Sequence, residues 1–486
     1  ITRGFRDALA IAYQNRPRLF DRHIVLPERL YARVVEIDER VSARGDVLVA
    51  LDEAAAREEL LRVYESGIRA LAIVLVHGYR YTAHEAVLER IAREIGFPQI
   101  SASHAVSPLM KLVSRGDTTV VDAYLSPILR RYVDEIAAEL PGVSLSFMQS
   151  SGGLADASRF HGKDAILSGP AGGIVGMVRT SVQAGATKVI GFDMGGTSTD
   201  VSHFAGTRPS DLERVFETQV AGVRLRAPML AIHTVAAGGG SLCRFEHGRF
   251  VVGPQSAGAD PGPLCYGRAS RRDPGQAGTH DDGPRARDTS DRGALTLTDV
   301  NLVLGRLCDD RFPLPLDPEP AHAALAALRE RLPAPWRERS LPAVAAGFFA
   351  VAVEHTAEAL RHVTLARGHD ARDHALVVFG GAGGQLACAI ARRLGVRQLL
   401  FPPLPGALSA FGMGLAPVTW HGEADLGRVP LDADAVAPMQ EAAATWLARG
   451  HAVLEHDGIP TDRRHATVRV ELRYAGTETA LAVLLP

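Results

Sequence analysis

At 486 residues, with 46% apolar and 22% charged side chains and 48 glycines, the sequence describes an α/β protein of roughly two to four domains with many tight turns. A net charge of -2, with Lys and Arg spread along the chain, supplies no basic field and excludes nucleic acid and membrane surfaces as expected partners. Cys243, Cys265, Cys308 and Cys388 form no CxxC pair, which argues against zinc and a disulfide framework and fits a reducing cytoplasm; apolar runs such as Ala70 to Val76 are too short to span a bilayer.

The chain opens on Ile1 and stops at Leu485-Pro486 inside a strand-like run, so it reads as a fragment. Ala70 to Val76 is a buried-type strand. Thr82-x-x-Glu85 has the form of a capping box, followed by Val87, Leu88, Ile91 and Ile95 at helical spacing and by Gly96 as a stop. An extended segment at Gln99 to Ser103 completes a βαβ rhythm. A helix from about Asp122 to Leu140 shows Leu125, Leu129, Tyr132, Val133 and Ile136 on one side, with Pro127 near its first turn, and its Arg130-Arg131 read as surface. A strand at Val143 to Met148 follows. Ser168-Gly-Pro-Ala-Gly-Gly173 leads into a helix of small residues that ends near Gly185, which points to close helix packing.

Residues 269–293 carry almost no large apolar side chain and read as a mobile surface insertion. A helix at Ala321 to Leu332 lies among prolines as a linker element. Ala343 to Ala366 is one long helix, Ala375 to Phe379 a strand and Gly383 to Leu394 a helix, giving a second α/β lobe. The divisions drawn are 1–165, 166–420 and 421–486. Glu354, His355, Glu358 and His362 on the long helix read as solvated rather than metal-ligating, and Cys388 as a small buried thiol.

The chemistry concentrates in VIGFDMGGTSTDV, from Val189 to Val201. Phosphate oxygens need close approach of backbone N–H groups, which Gly195 and Gly196 permit because they lack Cβ. Hydroxyls of Thr197, Ser198 and Thr199 can donate to the same oxygens, while Asp193 and Asp200 can hold a hydrated Mg²⁺ or orient water. Strand-like residues on both sides make this a hairpin, which disfavours the strand-to-helix Walker loop. A second cluster, Phe379-Gly-Gly-Ala-Gly-Gly384, leaves a strand and opens a helix, as a nucleotide site requires. The pair matches the layout of actin-like, sugar-kinase and Hsp70-type ATPases, with ribonuclease H-like lobes.

DMGGTSTDVS at Asp193, SGPAGG at Ser168, TVAAGGGS at Thr234, VGPQSAGADPGPLCYG at Val252, TDVNLVLGRL at Thr298, RGHD at Arg367 and FGGAGGQ at Phe379 make the chain similar to the hydantoinase A and 5-oxoprolinase family. ITRGFRDAL at Ile1, the segment from Ser107 to Val133 and ELRYAGTETAL at Glu471 resemble its ATP-hydrolysing 5-oxoprolinase branch. The resemblance implies an N-terminally truncated actin-like ATPase fold that lacks a first phosphate loop. It implies ATP-dependent opening of 5-oxo-L-proline to glutamate, through phosphorylation of the amide oxygen, in glutathione metabolism. The A subunit of an ATP-dependent hydantoinase or ketone carboxylase is the alternative; a non-hydrolysing nucleotide-binding scaffold is the alternative of another class.

In the same resemblance Asp193 and Asp200 are catalytic, Asp193 holding Mg²⁺ through water. Gly195, Gly196, Thr197, Ser198 and Thr199 hold phosphates, and Gly380, Gly381, Gly383 and Gly384 line the adenosine side. Gly238, Gly239, Gly240, Ser241 and Asp260 are weaker candidates for the substrate cleft, with a tight structural connection as the competing assignment. A monovalent cation, a hydantoinase B-like half fused or as a subunit, a small-molecule lactam and a homo-oligomeric state are further expectations. The sequence departs from the family at Ser151, where an acidic residue is expected, and at Leu386, where a histidine is usual.

Overall fold

The computed structural model describes residues 1–12, 20, 22–23, 28–220, 222–268, 294–427, 429–477 and 480–485. The insertion expected at 269–293, with its Asp281 and Asp282, and residues 478–479 of the C-terminal motif lie outside them. The chain forms two compact units: Ile1–Ser168 with Arg214–Met229 and Pro417–Pro486, and Gly169–Glu213 with Leu230–Ala416. Residues 421–486, which the sequence sets apart, group with Ile1–Ser168.

In the first unit the βαβ rhythm is realised: strands Ala70–Ile73 and Gln99–Ala102 pair in parallel and the helix Ala83–Ile95 connects them. Leu88, Ile91 and Ala92 of that helix share a core with Leu60 and Val63 of the helix Glu53–Glu65. Gly96, at φ 104°, ends the connecting helix by donating to the Ala92 and Arg93 carbonyls.

The capping box is not formed. Thr82 makes no side-chain cap bond. Glu85 turns inward instead, where its carboxylate accepts from Leu75 N (2.8 Å), Ser103 Oγ (2.6 Å) and His104 N (2.9 Å) and meets His104 Nδ1 at 2.8 Å. Burial alone would raise its pKa, but the bonds from His104, Ser103 and Leu75 outweigh burial and hold it below the ordinary value. A depressed folded pKa means stability that is present above the unfolded value of 4.5 and is lost as pH falls through the folded one. Glu85→Gln is expected to cost ~2–3 kcal/mol at neutral pH in urea unfolding and to flatten the acid side of the stability curve; an unchanged midpoint would remove this role.

After a single turn at Ser103–Val106, the next long helix runs Leu112–Glu139, starting well before Asp122, because its first turns are buried through Ser114, Arg115, Thr118 and Thr119 rather than through apolar residues. The hydroxyls of Thr118 and Thr119 donate to the carbonyls of Ser114 and Arg115, which satisfies them inside the protein. Pro127 therefore lies in the helix interior, not its first turn. The strand near Met148 is short, Ser146–Met148, and pairs antiparallel with Leu154–Asp156.

The second unit is built on a five-stranded sheet. The elements of the sheet and of the helices packed around it that position the site are α1 (Ser168–Gln183), β1 (Lys188–Met194), β2 (Thr199–Ala205), β3 (Ile232–Val235), α2 (Leu341–Leu365), β4 (Ala375–Phe379), α3 (Ala387–Leu394), β5 (Gln398–Leu400) and α4 (Leu408–Leu415). The strand order is β3-β2-β1-β4-β5. The first three form an antiparallel meander, and β4 joins β1 and β5 in parallel. This is the plan of a ribonuclease H-like lobe, as expected. β1 is buried on both faces, as the centre of a covered sheet must be: Ile190, Phe192 and Met194 share a core with α2 and α3, while Gly191 leaves room for Met177 of α1.

Gly172 and Gly176 let α1 touch α4 backbone to backbone, since a Cβ on either would come 2.7 Å from the carbonyl of Ser409 or Leu408. The close helix packing expected of the small-residue run is thus present. α2 is long and apolar enough to cross a bilayer by length and composition, which corrects the expectation that no run is. However, 56% of its most apolar window is buried inside the protein, and Val344, Phe348 and Leu360 are wholly enclosed, the setting of a core helix. On α3 the buried stripe is Ala387, Ile390, Ala391 and Leu394. Cys388 falls one position off that stripe and is exposed, not buried. Glu354 and Glu358 are exposed and held by Arg393 and Arg361.

Candidate nucleotide-binding site

β1 and β2 run into a tight turn in which Gly195 N donates to Ser198 O at 3.0 Å. Asp193 and Asp200 face each other across the ladder below this turn, and the register also sets Phe379 of β4 beside Asp193. The expected hairpin is therefore present. The amides of Gly196, Thr197 and Ser198 make no backbone hydrogen bond among the described residues. They are the donors available to an anion.

The run Gly238–Gly240 supports this turn from behind. Gly239 N and Gly240 N donate to the carbonyls of Gly195 (3.0 Å) and Gly196 (2.6 Å), and a Cβ on Gly238 would come within 2.6 Å of the Gly196 backbone. Only glycine permits that approach. Ser241 is fully buried, and its Oγ accepts from Gly238 N at 2.8 Å. These four residues thus make the tight connection weighed from the sequence. Asp260 is exposed in the turn beyond Ser256.

Of the hydroxyls expected to meet phosphate, Thr197 is exposed and Ser198 half-buried. Thr199 is different. It is wholly buried and its hydroxyl donates to the Ala237 carbonyl at 2.6 Å, because strand alternation turns it away from the side that Asp200 occupies. Thr199 ties β2 to the chain beyond β3 and corrects its assignment as a phosphate donor.

The second glycine cluster meets the first at the carboxyl ends of β1 and β4. Gly380, at φ +80°, packs so tightly on Asp193 Oδ1 and the Met194 carbonyl that a Cβ would overlap both. Ala382 N donates to Met194 O at 2.9 Å. Gly381 and Gly384 are exposed with open space where a Cβ would stand, whereas Gly383 is buried against Val378. Adjacent parallel strands that end in such loops form the usual ligand position of an α/β sheet.

Electrostatics single out the aspartates. Burial, reinforced by the charge of Asp200, pushes Asp193 up to about 6. Burial also raises Asp200, against the hydrogen bond that Thr234 Oγ1 donates to it at 2.6 Å. Neither carboxylate has a salt-bridge partner among the described residues. Two half-buried acids of like sign fit a bound cation, whose charge would lower both pKa values and stabilise the ionised forms.

One group of contacts was missed from the sequence. In the segment Thr298–Asn301, Thr298 donates from its amide and hydroxyl to the Gly239 carbonyl, both at 2.8 Å. Asp299 accepts from Leu264 N and Cys265 N, and Asn301 donates to Gln385 Oε1 at 2.8 Å. Asn301 is fully buried and its Oδ1 has no hydrogen-bond partner among the described residues. A polar run at the start of a helix signals only a cap; its three destinations lie in distant segments. As to the departures, Leu386 is wholly buried in the core, and Ser151 is buried in the first unit.

Residues 115–421 match the family described as hydantoinase/oxoprolinase, and residues 1–96 match its N-terminal region. Over 99% of its length the chain is 38% identical to 5-oxoprolinase 1 of Arabidopsis thaliana, and over 100% it is 35% identical to 5-oxoprolinase of Dictyostelium discoideum. It spans 39% and 40% of the length of those two relatives. The crystal structure of the ATP-dependent caprolactamase from Pseudomonas jessenii superposes on all of this chain with a TM-score of 0.80 at 29% identity, and 68% of that chain is covered. The two glycine loops come together on one five-stranded sheet, not on the separate second lobe expected from the sequence, and the matched family descriptions and these relatives lead to one conclusion: the chain belongs to the hydantoinase/oxoprolinase family.

Proposed function

We propose that this chain is the nucleotide-binding portion of an ATP-dependent cyclic amide hydrolase that opens 5-oxo-L-proline to L-glutamate. The observation that carries the nucleotide assignment is the turn at Gly195–Ser198: three amides without backbone partners stand beside two aspartates without a salt-bridge partner, both among the described residues. The lactam rests on the 5-oxoprolinase relatives, which match across the whole chain.

The lactam carbon is a poor electrophile; bound ATP would supply a phosphoryl group to the amide oxygen. Water then adds to the activated carbon, the C–N bond breaks with the ring nitrogen taking up a proton, and the oxygen-bound phosphate is released, leaving the open-chain amino acid with ADP and phosphate. In this assignment the amides of Gly196, Thr197 and Ser198 orient the phosphates. Asp193 and Asp200, the latter oriented by Thr234, would hold a Mg²⁺ whose charge would offset that of the phosphates. Gly381 and Gly384 let the nucleotide approach the backbone, while Gly380 and Gly383 shape the loop itself. A hydantoinase B-like half, fused or separate, completes the enzyme.

A second cyclic amide is favoured by one observation, the superposition on the caprolactamase. Phosphate release by the full-length gene product with its B-like partner, measured with MgATP and either 5-oxoproline, caprolactam or hydantoin, separates these assignments. Stimulation by 5-oxoproline is the expected result. Stimulation by another cyclic amide alone would move the substrate, and MgATP binding without any release of phosphate would reduce the chain to a scaffold.

A further inference from the structure

Three histidines from separate parts of the sequence converge in the second unit, away from the glycine loops. His203 lies on β2, paired with Ile190 of β1. His369 follows α2 in a turn that its own amide closes on the Thr364 carbonyl at 3.0 Å. His374 immediately precedes β4. One ligating atom from each can be chosen so that all three lie within 4.8 Å of one another. His203 and His374 are buried, and His369 is half-buried. We propose that His203, His369 and His374 form a binding site for a borderline divalent transition ion, zinc foremost, that fastens β2, the turn after α2 and the entry to β4 together.

The donor set fits. His203 Nε2 and His374 Nε2 are 3.0 Å apart, close to the roughly 3.3 Å that separates two nitrogens on a tetrahedral zinc ion with Zn–N distances near 2.0–2.1 Å. His374 Nδ1 donates to the Asp370 carbonyl at 2.8 Å, which leaves Nε2 with its lone pair and fixes the ring as a ligand-orienting second bond does. In the metal-free protein His203 then donates its Nε2 proton to His374 Nε2. Ligation requires only that His203 carry this proton on Nδ1 instead. The His369 ring stacks on His203 with centroids 4.7 Å apart, and its turn position lets it close the remaining distance. Because it is half-buried, solvent can supply a fourth ligand.

The surrounding charges do not compete for the site. Arg367 is held by Glu213 at 2.6 Å, the Asp370 carboxylate by Arg372, and Lys188 and Asp373 act on His374 with opposite signs. Burial, followed by the neighbouring imidazoles and Arg367, pushes His203 down to about 4, and burial also lowers His374. Both rings are neutral at neutral pH, so no proton has to be displaced by a metal. His374 stands six residues before Gly380 along an extended strand, roughly 20 Å at ~3.3 Å per residue, and His203 stands three residues after Asp200 on β2, roughly 10 Å along the strand and on its opposite face. That separation makes the ion a clamp for the sheet rather than a participant at the phosphate turn. The expectation against zinc drawn from the scattered cysteines concerned thiolate ligands and does not bear on this set of imidazoles.

The test compares the full-length protein with its His369→Ala variant after chelation and dialysis. The wild type is expected to bind one more Zn²⁺ per chain than the variant, by metal analysis, and to bind Co²⁺ with the visible absorption of a nitrogen-ligated site. Zn²⁺ but not Mg²⁺ should raise its Tm, and His369→Ala, half-exposed and expected to fold, should bind Zn²⁺ at least tenfold more weakly. Equal Zn²⁺ stoichiometry and affinity in the two folded proteins would overturn the proposal, as would a wild-type Tm indifferent to zinc. If His203→Ala fails to fold, the His369→Ala comparison still decides the matter.

Discussion

Asp193→Asn is expected to lower lactam-stimulated phosphate release by roughly 10²- to 10³-fold while making the nucleotide-free protein more stable. The two effects have one cause. In the folded chain, burial and the facing charge of Asp200 raise Asp193 from 3.8 to about 6. Between those values the folded state holds a proton that the unfolded chain has released, so stability falls as pH rises through that window and stays lower above it. A neutral amide of the same shape removes that loss, a gain of up to about 3 kcal/mol at neutral pH at 1.36 kcal/mol per pKa unit. Urea unfolding with chelator present, from acid to neutral pH, should show the downward slope in the wild type and a flatter curve in Asp193→Asn. A variant that keeps full turnover, or the same slope in both proteins, would end the role given to this carboxylate.

Gly380→Ala should be the most damaging methyl group that can be added to the site. The residue sits at φ +80°, where an L side chain is strained, and its Cβ would overlap Asp193 Oδ1 and the Met194 carbonyl. The Met194 carbonyl cannot yield easily, since it already accepts from Ala382 N and its strand is fixed by pairing on both sides, and relief at Asp193 would have to turn its carboxylate out of place. A loss of ~2–4 kcal/mol and at least a 10²-fold loss of phosphate release are expected. Gly381→Ala and Gly384→Ala provide the contrast, because open space stands where their Cβ atoms would go. Their unfolding free energies in urea should match the wild type within ~0.5 kcal/mol, while isothermal titration should show weaker MgATP binding. A Gly380→Ala protein as stable as Gly381→Ala would contradict the packing described here.

The individual residues show what could be read in advance. The hairpin around Gly195, the strand Ala375–Phe379 and the parallel pairing of Ala70–Ile73 with Gln99–Ala102 are local or periodic features, and all three are found. Glu85 had the right spacing for a capping box, but spacing does not tell whether a carboxylate reaches back along its helix or inward to Leu75, Ser103 and His104. The start of the helix Leu112–Glu139 was hidden because Ser114, Thr118 and Thr119 are buried polar residues, invisible to apolar periodicity. Cys388 was misplaced by one helical position.

By itself, then, the amino-acid sequence determined the family and, within the chain, two local features, a glycine-rich hairpin and a second glycine loop. Both follow from local backbone demands: close approach without Cβ, and strand patterning on either side. Tertiary structure decided the rest. It alone turned Thr199 inward, set Asp193 opposite Asp200 with no cation beside them among the described residues, and docked Gly238–Gly240 beneath the turn. It also gathered His203, His369 and His374 from motifs far apart in the chain. Register and sheet order fix those contacts, and a linear pattern carries neither.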